Sequence, residues 1–291
     1  MSLVVLGSSG FIGSEILRNA KASFGSAACR GYSRSDFDLT TAGSLETLLG
    51  FWNSNTTLVV CSGIKRQFGD SLEIFEQNMR ITLNLCQAIA ENKPKRLIYF
   101  SSAAVYGEEI NDLFINEETR ISPQSLYGVG KFSTERLLER TAKDAGIPLV
   151  ILRPTLVYGV GDGSKGYGPA GFYESILKQN EVLLWGDGSE LREFLYVKDL
   201  ARITVQLVNH DFVGILNPAS GFSCSYRECA EIMIKQIDSR AYISEKPRSR
   251  PKVDNSYHSS LFHSLFPNFQ FTSLEVGLGE MIHEQQMLDI S

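Results

Sequence analysis

Two short stretches of this 291-residue chain carry residue types whose spacing suits chemistry. One is Tyr127-Gly128-Val129-Gly130-Lys131, with Ser102 upstream. Four residues apart on a helix, Tyr127 and Lys131 share one face, one turn apart. A free phenol has a pKa of about 10, too high for base work at neutral pH. A nearby ammonium stabilises the phenolate and lowers that value. Tyr127 then suits taking a proton from a carbinol, or returning one to a carbonyl. The Ser102 hydroxyl would hold the same oxygen and stabilise developing charge.

The other stretch is Gly7-Ser8-Ser9-Gly10-Phe11-Ile12-Gly13, directly after the apolar run Leu3-Val4-Val5-Leu6. Gly7 permits a tight turn, Gly10 lets the backbone approach a pyrophosphate, and Gly13 lets the next helix pack closely. Phe11 and Ile12 open that helix, whose N-terminus offers N–H groups and partial positive charge to phosphates. Alone, each pattern is weak, since glycine pairs mark ordinary turns and Tyr-x-x-x-Lys arises by chance. In this order on one chain, they imply a dinucleotide site beside an acid/base site, which is the arrangement hydride transfer needs.

The elements that must position these groups are visible in the apolar patterning. Short apolar runs over 3–6, 27–32, 57–61, 96–100 and 148–152 read as strands. Helical spacing comes after the glycines and recurs over 81–90 and 126–145. This alternation predicts an α/β fold, a doubly wound parallel Rossmann sheet with both faces covered. After Arg153-Pro154 the pattern loosens. Residues 159–171 read as a glycine-rich loop, 181–185 and 194–197 as short strands, 199–208 as a helix, and 246–252 as a basic, proline-interrupted segment. The expected organisation is a dinucleotide-binding domain over 1–155, to which 194–217 returns. A smaller C-terminal substrate-binding lobe over 156–193 and 218–291 would cover the carboxyl edge of the sheet.

Composition narrows the partners. A net charge of -5 gives no polyanion footprint, so nucleic acid is not an expected partner. No apolar run approaches the roughly 18 residues of a membrane span. The first apolar run lacks a preceding basic region, so it reads as a strand and not a signal peptide. Five scattered cysteines (Cys29, Cys61, Cys86, Cys224, Cys229) form no metal-type pair. Reduced thiols and a cytoplasmic location are expected, with no bound metal. His210, His258, His263 and His283 lie outside both motifs, and no Gly-x-Ser-x-Gly elbow supports a hydrolase.

The end of the second strand bears on the cofactor. NAD enzymes carry an acidic residue there to hold the ribose hydroxyls. Here the sequence is Gly31-Tyr32-Ser33-Arg34-Ser35. Arg34 pairs well with a 2′-phosphate and Ser33 does not repel one. NADP is therefore favoured, with NAD open.

The Gly-x-x-Gly-x-x-Gly form resembles the short-chain dehydrogenase/reductases. From residue 3 to about residue 280 the chain resembles the extended members that act on nucleotide sugars: 4-epimerases, 4,6-dehydratases and 4-keto reductases. Phe100-Ser101-Ser102-Ala103-Ala104-Val105-Tyr106-Gly107 is similar to their Ser-Ser-x-x-Val-Tyr-Gly segment, with Ser102 in the catalytic place. Asp38-Leu39 resembles an adenine-contacting pair, although Asp38 could equally cap the helical region beyond it. Asn78 matches an asparagine found after the third strand region. By the same likeness Arg192, in Arg192-Glu193-Phe194, would bind the substrate diphosphate. Arg250 would be a second such arginine, or else part of a solvated basic loop.

Departures from the family pattern matter as well. Dehydratases of this family carry an Asp-Glu pair where Ala103 and Ala104 stand, so that elimination is not expected. Enzymes that epimerise carbons 3 and 5 use a cysteine and a histidine, and the nearest places hold Ala103 or Ala104 and Gly161. What the resemblance leaves is hydride chemistry at one carbinol of a nucleotide-diphosphate sugar, with carbon 4 expected. A 4-keto reductase is the favoured outcome and a 4-epimerase the alternative. A dinucleotide-binding sensor or scaffold without chemistry stays open as another class. The resemblance also implies a homodimer.

Overall fold

The computed structural model describes residues 2–41, 50–163, 166–237 and 240–290. Ser2–Leu6 (β1), Cys29–Tyr32 (β2), Thr56–Val60 (β3), Arg96–Phe100 (β4), Leu149–Leu152 (β5) and Gly214–Leu216 (β6) pair into one sheet. The order is β6-β5-β4-β3-β1-β2, and every pair is parallel. All residues of β3, β4 and β5 are buried, which is why their sequences do not alternate apolar with polar. The expected Rossmann-type α/β fold is what forms.

One face of the sheet carries Val4, Leu6, Leu58, Val60, Leu97, Tyr99, Leu149 and Ile151, alternate residues of four strands. Against them lie Ile81, Leu85 and Ile89 from helix Leu72–Glu91 (α2), which comes after Phe11–Phe24 (α1). Leu138 and Ala142 from helix Leu126–Ala145 (α3) complete the layer. Each large side chain in it contributes roughly 1.5–3 kcal/mol by leaving water. The Thr82 and Thr134 hydroxyls, 2.8 Å apart, tie α2 to α3 inside this layer.

β1 leads through α1 to β2 on one side, while β3 lies on the other side of β1. The order of strands reverses here, and in open α/β sheets ligands bind beyond the carboxyl ends at such a point. Gly7 comes after β1 and Cys61-Ser62-Gly63 after β3, so both stand at the carboxyl ends of the strands that flank this point.

By contacts the chain divides into two units. The first holds Met1–Glu108, Thr119–Pro154 and Leu200–Pro218; the second holds Glu109–Glu118, Thr155–Asp199 and Ala219–Ser291. Besides single residues at 155 and 218, the expected boundaries differ from these over 109–118 and 194–199, which group with the second unit. Strand pairing is the reason. Asp112–Ile115 pairs with Asn255–Tyr257, and Phe194–Tyr196 pairs with Leu156–Tyr158.

Within the second unit, Glu181–Trp185 pairs in parallel with Tyr242–Lys246. The stretch expected as loop over 159–171 ends in a helix, Pro169–Gln179, because a proline suits the first helical turn. Among the described residues no helix is long and apolar enough to cross a membrane, and no three His, Cys, Asp or Glu cluster to hold a metal ion.

Candidate active site

The glycine turn takes the shape a pyrophosphate requires. Gly7 has φ +84°, a left-handed conformation that glycine adopts without strain. A Cβ on Gly13 would stand 2.2 Å from the Gly7 carbonyl oxygen, so a side chain there would push α1 off the turn. Gly10 precedes α1 without a side-chain cap, leaving the first-turn N–H groups to be met by a ligand or water. The backbone N–H groups of Gly7 and Ser8 both donate to Tyr32 O, which binds the turn to the end of β2. Phe11 is buried beneath the Lys65 ammonium, 5.0 Å from its ring centroid, and Ile12 is half-buried. These residues fit a dinucleotide pyrophosphate.

Past β2 the structure departs from the expectation. Ser33 donates its N–H (2.7 Å) and its hydroxyl (2.8 Å) to one oxygen of Asp36. Those hydrogen bonds, the backbone one first, hold the Asp36 carboxyl below the usual range. A carboxylate therefore does sit at the end of β2, supplied from three residues downstream. Arg34 is exposed and turned onto Asp38, with Nη2 2.8 Å from Oδ2. Asp38 also accepts from the Thr40 N–H and hydroxyl, a contact within the turn. Leu39 is buried in the core cluster that also holds Leu6 and Trp52. The residues just beyond, 42–49, lie outside the described ones.

Ser102, Tyr127 and Lys131 come together where α3 meets the end of β4. Ser125 caps α3 by accepting from the Gly128 N–H, and Asp70 accepts from the Tyr127 N–H at 2.9 Å. Gly128 is small because α3 runs against the turn Ala103–Tyr106: a Cβ there would lie 2.8 Å from Ala104 O. Ser102 begins that turn and accepts from the Ala104 N–H.

Lys131 Nζ donates to Phe100 O at 2.7 Å and lies 5.9 Å from the Tyr127 ring centroid. Burial lowers its pKa to about 8, against the pull of Cys61 and Glu135. Burial raises the Tyr127 phenol, while Ser102, near enough to hydrogen-bond to it, and Arg66 pull it down. Asn78 accepts from the Ile64 N–H and donates to Ile64 O, pinning the loop after β3. A cavity of about 20 Å³, room for one water, is lined by Asn78, Tyr99, Tyr127, Lys131 and Thr134.

Beneath this corner runs a buried polar network that motif reading misses. Glu135, one turn past Lys131, accepts from Arg153 Nε at 2.9 Å and Nη2 at 2.6 Å. Both side chains are essentially excluded from solvent (0% and 2%). Ser101 donates its hydroxyl to Glu135 Oε1. Arg153 Nη1 meets the Tyr106 hydroxyl at 3.1 Å, which donates to Asn217 at 2.8 Å. Extending the Tyr127–Lys131 face by one more turn is the signal that finds Glu135.

The two arginines expected at the diphosphate lie in the second unit. Arg192 is 9% exposed, and its Nη1 donates to Leu191 O and Val253 O. Its Nη2 lies 3.7 Å from Glu190, and its plane stands over the Tyr226 ring. Arg250 is half-exposed and 3.6 Å from Glu109. Beside Arg192, Arg248 bridges Asp187 (2.8 Å) and Glu190 (3.0 Å).

Comparison with known proteins bears on the family and the fold. The chain is 32% identical over 177 residues to a putative UDP-glucose 4-epimerase of Methanocaldococcus jannaschii, covering 59% of this chain and 57% of that protein. The chain spans about half the length of the relatives it matches. The solved structure of Thermotoga maritima UDP-glucose 4-epimerase with UDP-glucose superposes with a TM-score of 0.86 at 20% identity, covering 99% of each chain. MoeE5 in complex with UDP-glucuronic acid and NAD gives 0.85 at 22% identity, over 99% of this chain and all of that one. At these identities the structural likeness shows the fold. The sequence pattern of the family described as NAD dependent epimerase/dehydratase matches residues 3–217, and the chain belongs to that family.

Proposed function

We propose that this chain binds a nicotinamide dinucleotide and a nucleotide-diphosphate sugar and inverts carbon 4 of the sugar by oxidation and re-reduction. The observation that carries the reading is the grouping of Ser102, Tyr127 and Lys131 at the α3–β4 corner of a unit whose glycine turn fits a pyrophosphate. The bound nicotinamide would supply the hydride acceptor and, on the return, the hydride donor. Tyr127 takes the hydroxyl proton as the carbinol C–H leaves as hydride, and gives it back when the carbonyl is reduced. Ser102 steadies the reacting oxygen. Lys131, held on Phe100 O, favours the ionised phenol. Ala103 and Ala104 offer no acid or base for elimination, which leaves hydride and proton transfer alone.

The Asp36 carboxylate supports NAD as the dinucleotide. Held on Ser33, it suits the ribose hydroxyls and would repel a 2′-phosphate. Arg34, the residue that favours NADP in the sequence, has Asp38 as a competing partner. A second reading, a 4-keto reductase using NADPH, draws on the exposure of Arg34, which leaves its guanidinium reachable.

The test is to denature the purified protein and identify the released dinucleotide, then to incubate fresh protein with UDP-glucose and other UDP- and GDP-hexoses. Retained NAD and conversion to the carbon-4 epimer without added cofactor are expected. Turnover that requires added NADPH and consumes a 4-keto sugar stoichiometrically would replace the epimerase with the reductase. Binding of dinucleotide with no turnover of any nucleotide sugar would leave a sensor or scaffold.

A further inference from the structure

Resting on the reading of Ser102, Tyr127 and Lys131 as the reacting set, we propose that Ser101, Glu135 and Arg153 are positioning residues that set the distance between Ser102 and Tyr127. The two reacting hydroxyls come from different elements. Tyr127 stands in the first turn of α3, and Ser102 lies two residues past β4. Their separation is only as definite as the clamp between α3 and that strand end.

Two side-chain bonds one helical turn apart form the clamp. Lys131 Nζ reaches Phe100 O at 2.7 Å, and Glu135 accepts the Ser101 hydroxyl. Lys131 also serves the phenol, so Ser101–Glu135 is the bond with no other duty toward the reacting groups. Arg153 makes that bond directional. Its two donors to Glu135 leave the carboxylate one orientation, in which Oε1 faces both Arg153 Nε and Ser101.

Arg153 is itself fixed from the sheet. Its N–H donates to Leu216 O at 3.0 Å, and the Ser101 N–H donates to Leu152 O at 2.8 Å. Through Tyr106 the network also holds the far end of the turn that Ser102 begins. An apolar trio of similar volume would stabilise this spot as well as a buried ion pair does. What apolar packing does not supply is a fixed, directional separation, which a hydrogen-bonded polar network does.

The least disruptive test is Ser101→Ala, which deletes one hydroxyl and leaves Glu135–Arg153 paired. The assay uses UDP-glucose, or whichever nucleotide sugar the preceding screen identifies, with kcat referred to dinucleotide-bound protein so that loss of folded protein does not count. The expected result is a fall in kcat of about tenfold or more, since misplacing reacting groups by about 1 Å can cost about 10²-fold. The KM for the sugar nucleotide and the Kd of the dinucleotide are expected to stay within about twofold, because Ser101 is assigned no contact with either ligand. Ser101→Thr, which keeps the hydroxyl, should restore kcat.

Wild-type kcat in Ser101→Ala, or equally low kcat in Ser101→Thr, would overturn the proposal and leave the network a purely structural feature. Tyr127→Phe is run in parallel. Retained turnover in that variant means the reacting set was misread, whereas its loss together with normal Ser101→Ala kinetics sinks the positioning role alone.

Discussion

At the α3–β4 corner the charged and polar side chains leave the proposed reacting pair on top and satisfy their own charges underneath. Around Arg192 the charges are satisfied by one another. In the first region Lys131 gives one bond to Phe100 O and stands beside Tyr127, while the compensating pair, Glu135 and Arg153, is buried below. In the second, Arg192 gives Nη1 to two carbonyls and lies near Glu190, and Arg248 joins Glu190 to Asp187. A proton-moving group needs fixed neighbours, and internal bonds provide them. An anion-binding arginine needs donors left over, and the two bonds from Nη1 reduce those that Arg192 keeps. The same chemistry, a guanidinium against a carboxylate, would therefore support the proposed function in the first region and compete with it in the second.

The contrast between the regions fails most visibly if the buried pair is not the stronger one. Arg153→Leu leaves Glu135 buried and unpaired and is expected to cost about 3–5 kcal/mol of stability, read by urea unfolding. Removing both charges in Glu135→Leu/Arg153→Leu should recover much of that loss. A single-variant cost below about 1 kcal/mol would mean that the pair does not hold the corner.

Arg192→Ala should behave differently. It loses hydrogen bonds to two carbonyls, so a stability loss of about 1–3 kcal/mol is expected, together with a raised KM for the nucleotide sugar. A raised KM with unchanged stability would show its donors to be less committed than the structure has them. Unchanged KM would remove it from the diphosphate site.

Asp36→Ala carries the contrast to the cofactor side. NAD affinity is expected to fall about tenfold, the size of one charge-assisted hydrogen bond, while NADP affinity holds or rises. Equal losses for both dinucleotides would place the carboxylate away from the ribose.

The effect with least bearing on the reacting groups concerns pH. Glu193 is buried, takes the Ser220 hydroxyl and the Ser220 and Gly221 N–H groups on one oxygen, and keeps the other unpartnered. Burial raises its pKa to about 7, against an ordinary value of 4.5. The folded state then holds a proton that the unfolded state has released between those values. Stability from this group is full below about 4.5 and is lost as pH rises through about 7. Glu193→Gln should flatten that slope in thermal unfolding between about pH 5 and about pH 8. An unchanged slope would assign it to other groups.

The legible parts are those written in local spacing. The strand over 96–100 and the helix over 126–145 have the bounds their apolar runs predict, because strand and helix alike are bounded by turn residues and filled with core side chains. α2 starts at Leu72, well before the expected position 81, since Leu72 is exposed and the first turns bury little; the Ser71 cap marks the true start. The parts that local spacing hides depend on the chain folding back. Asp36 reaches the end of β2 by turning onto Ser33, so a scan for a carboxylate at positions 32–34 passes over it. Arg192 reads as a diphosphate-binding cation, and the bond from its Nη1 to Val253, 61 residues away, is not visible in that reading. Arg153 stands in the sequence only as the point after which the apolar pattern loosens, and the fold shows that its partner is Glu135 on α3.

Every role assigned to this corner depends on Tyr127 moving the proton beside the hydride. The decisive quantity is turnover of Tyr127→Phe on a nucleotide sugar that the native protein converts, with bound dinucleotide counted in the same sample. A fall of at least about 10²-fold, with dinucleotide affinity retained, is expected. Turnover near that of the native protein would contradict the assignment of this corner as the site of chemistry.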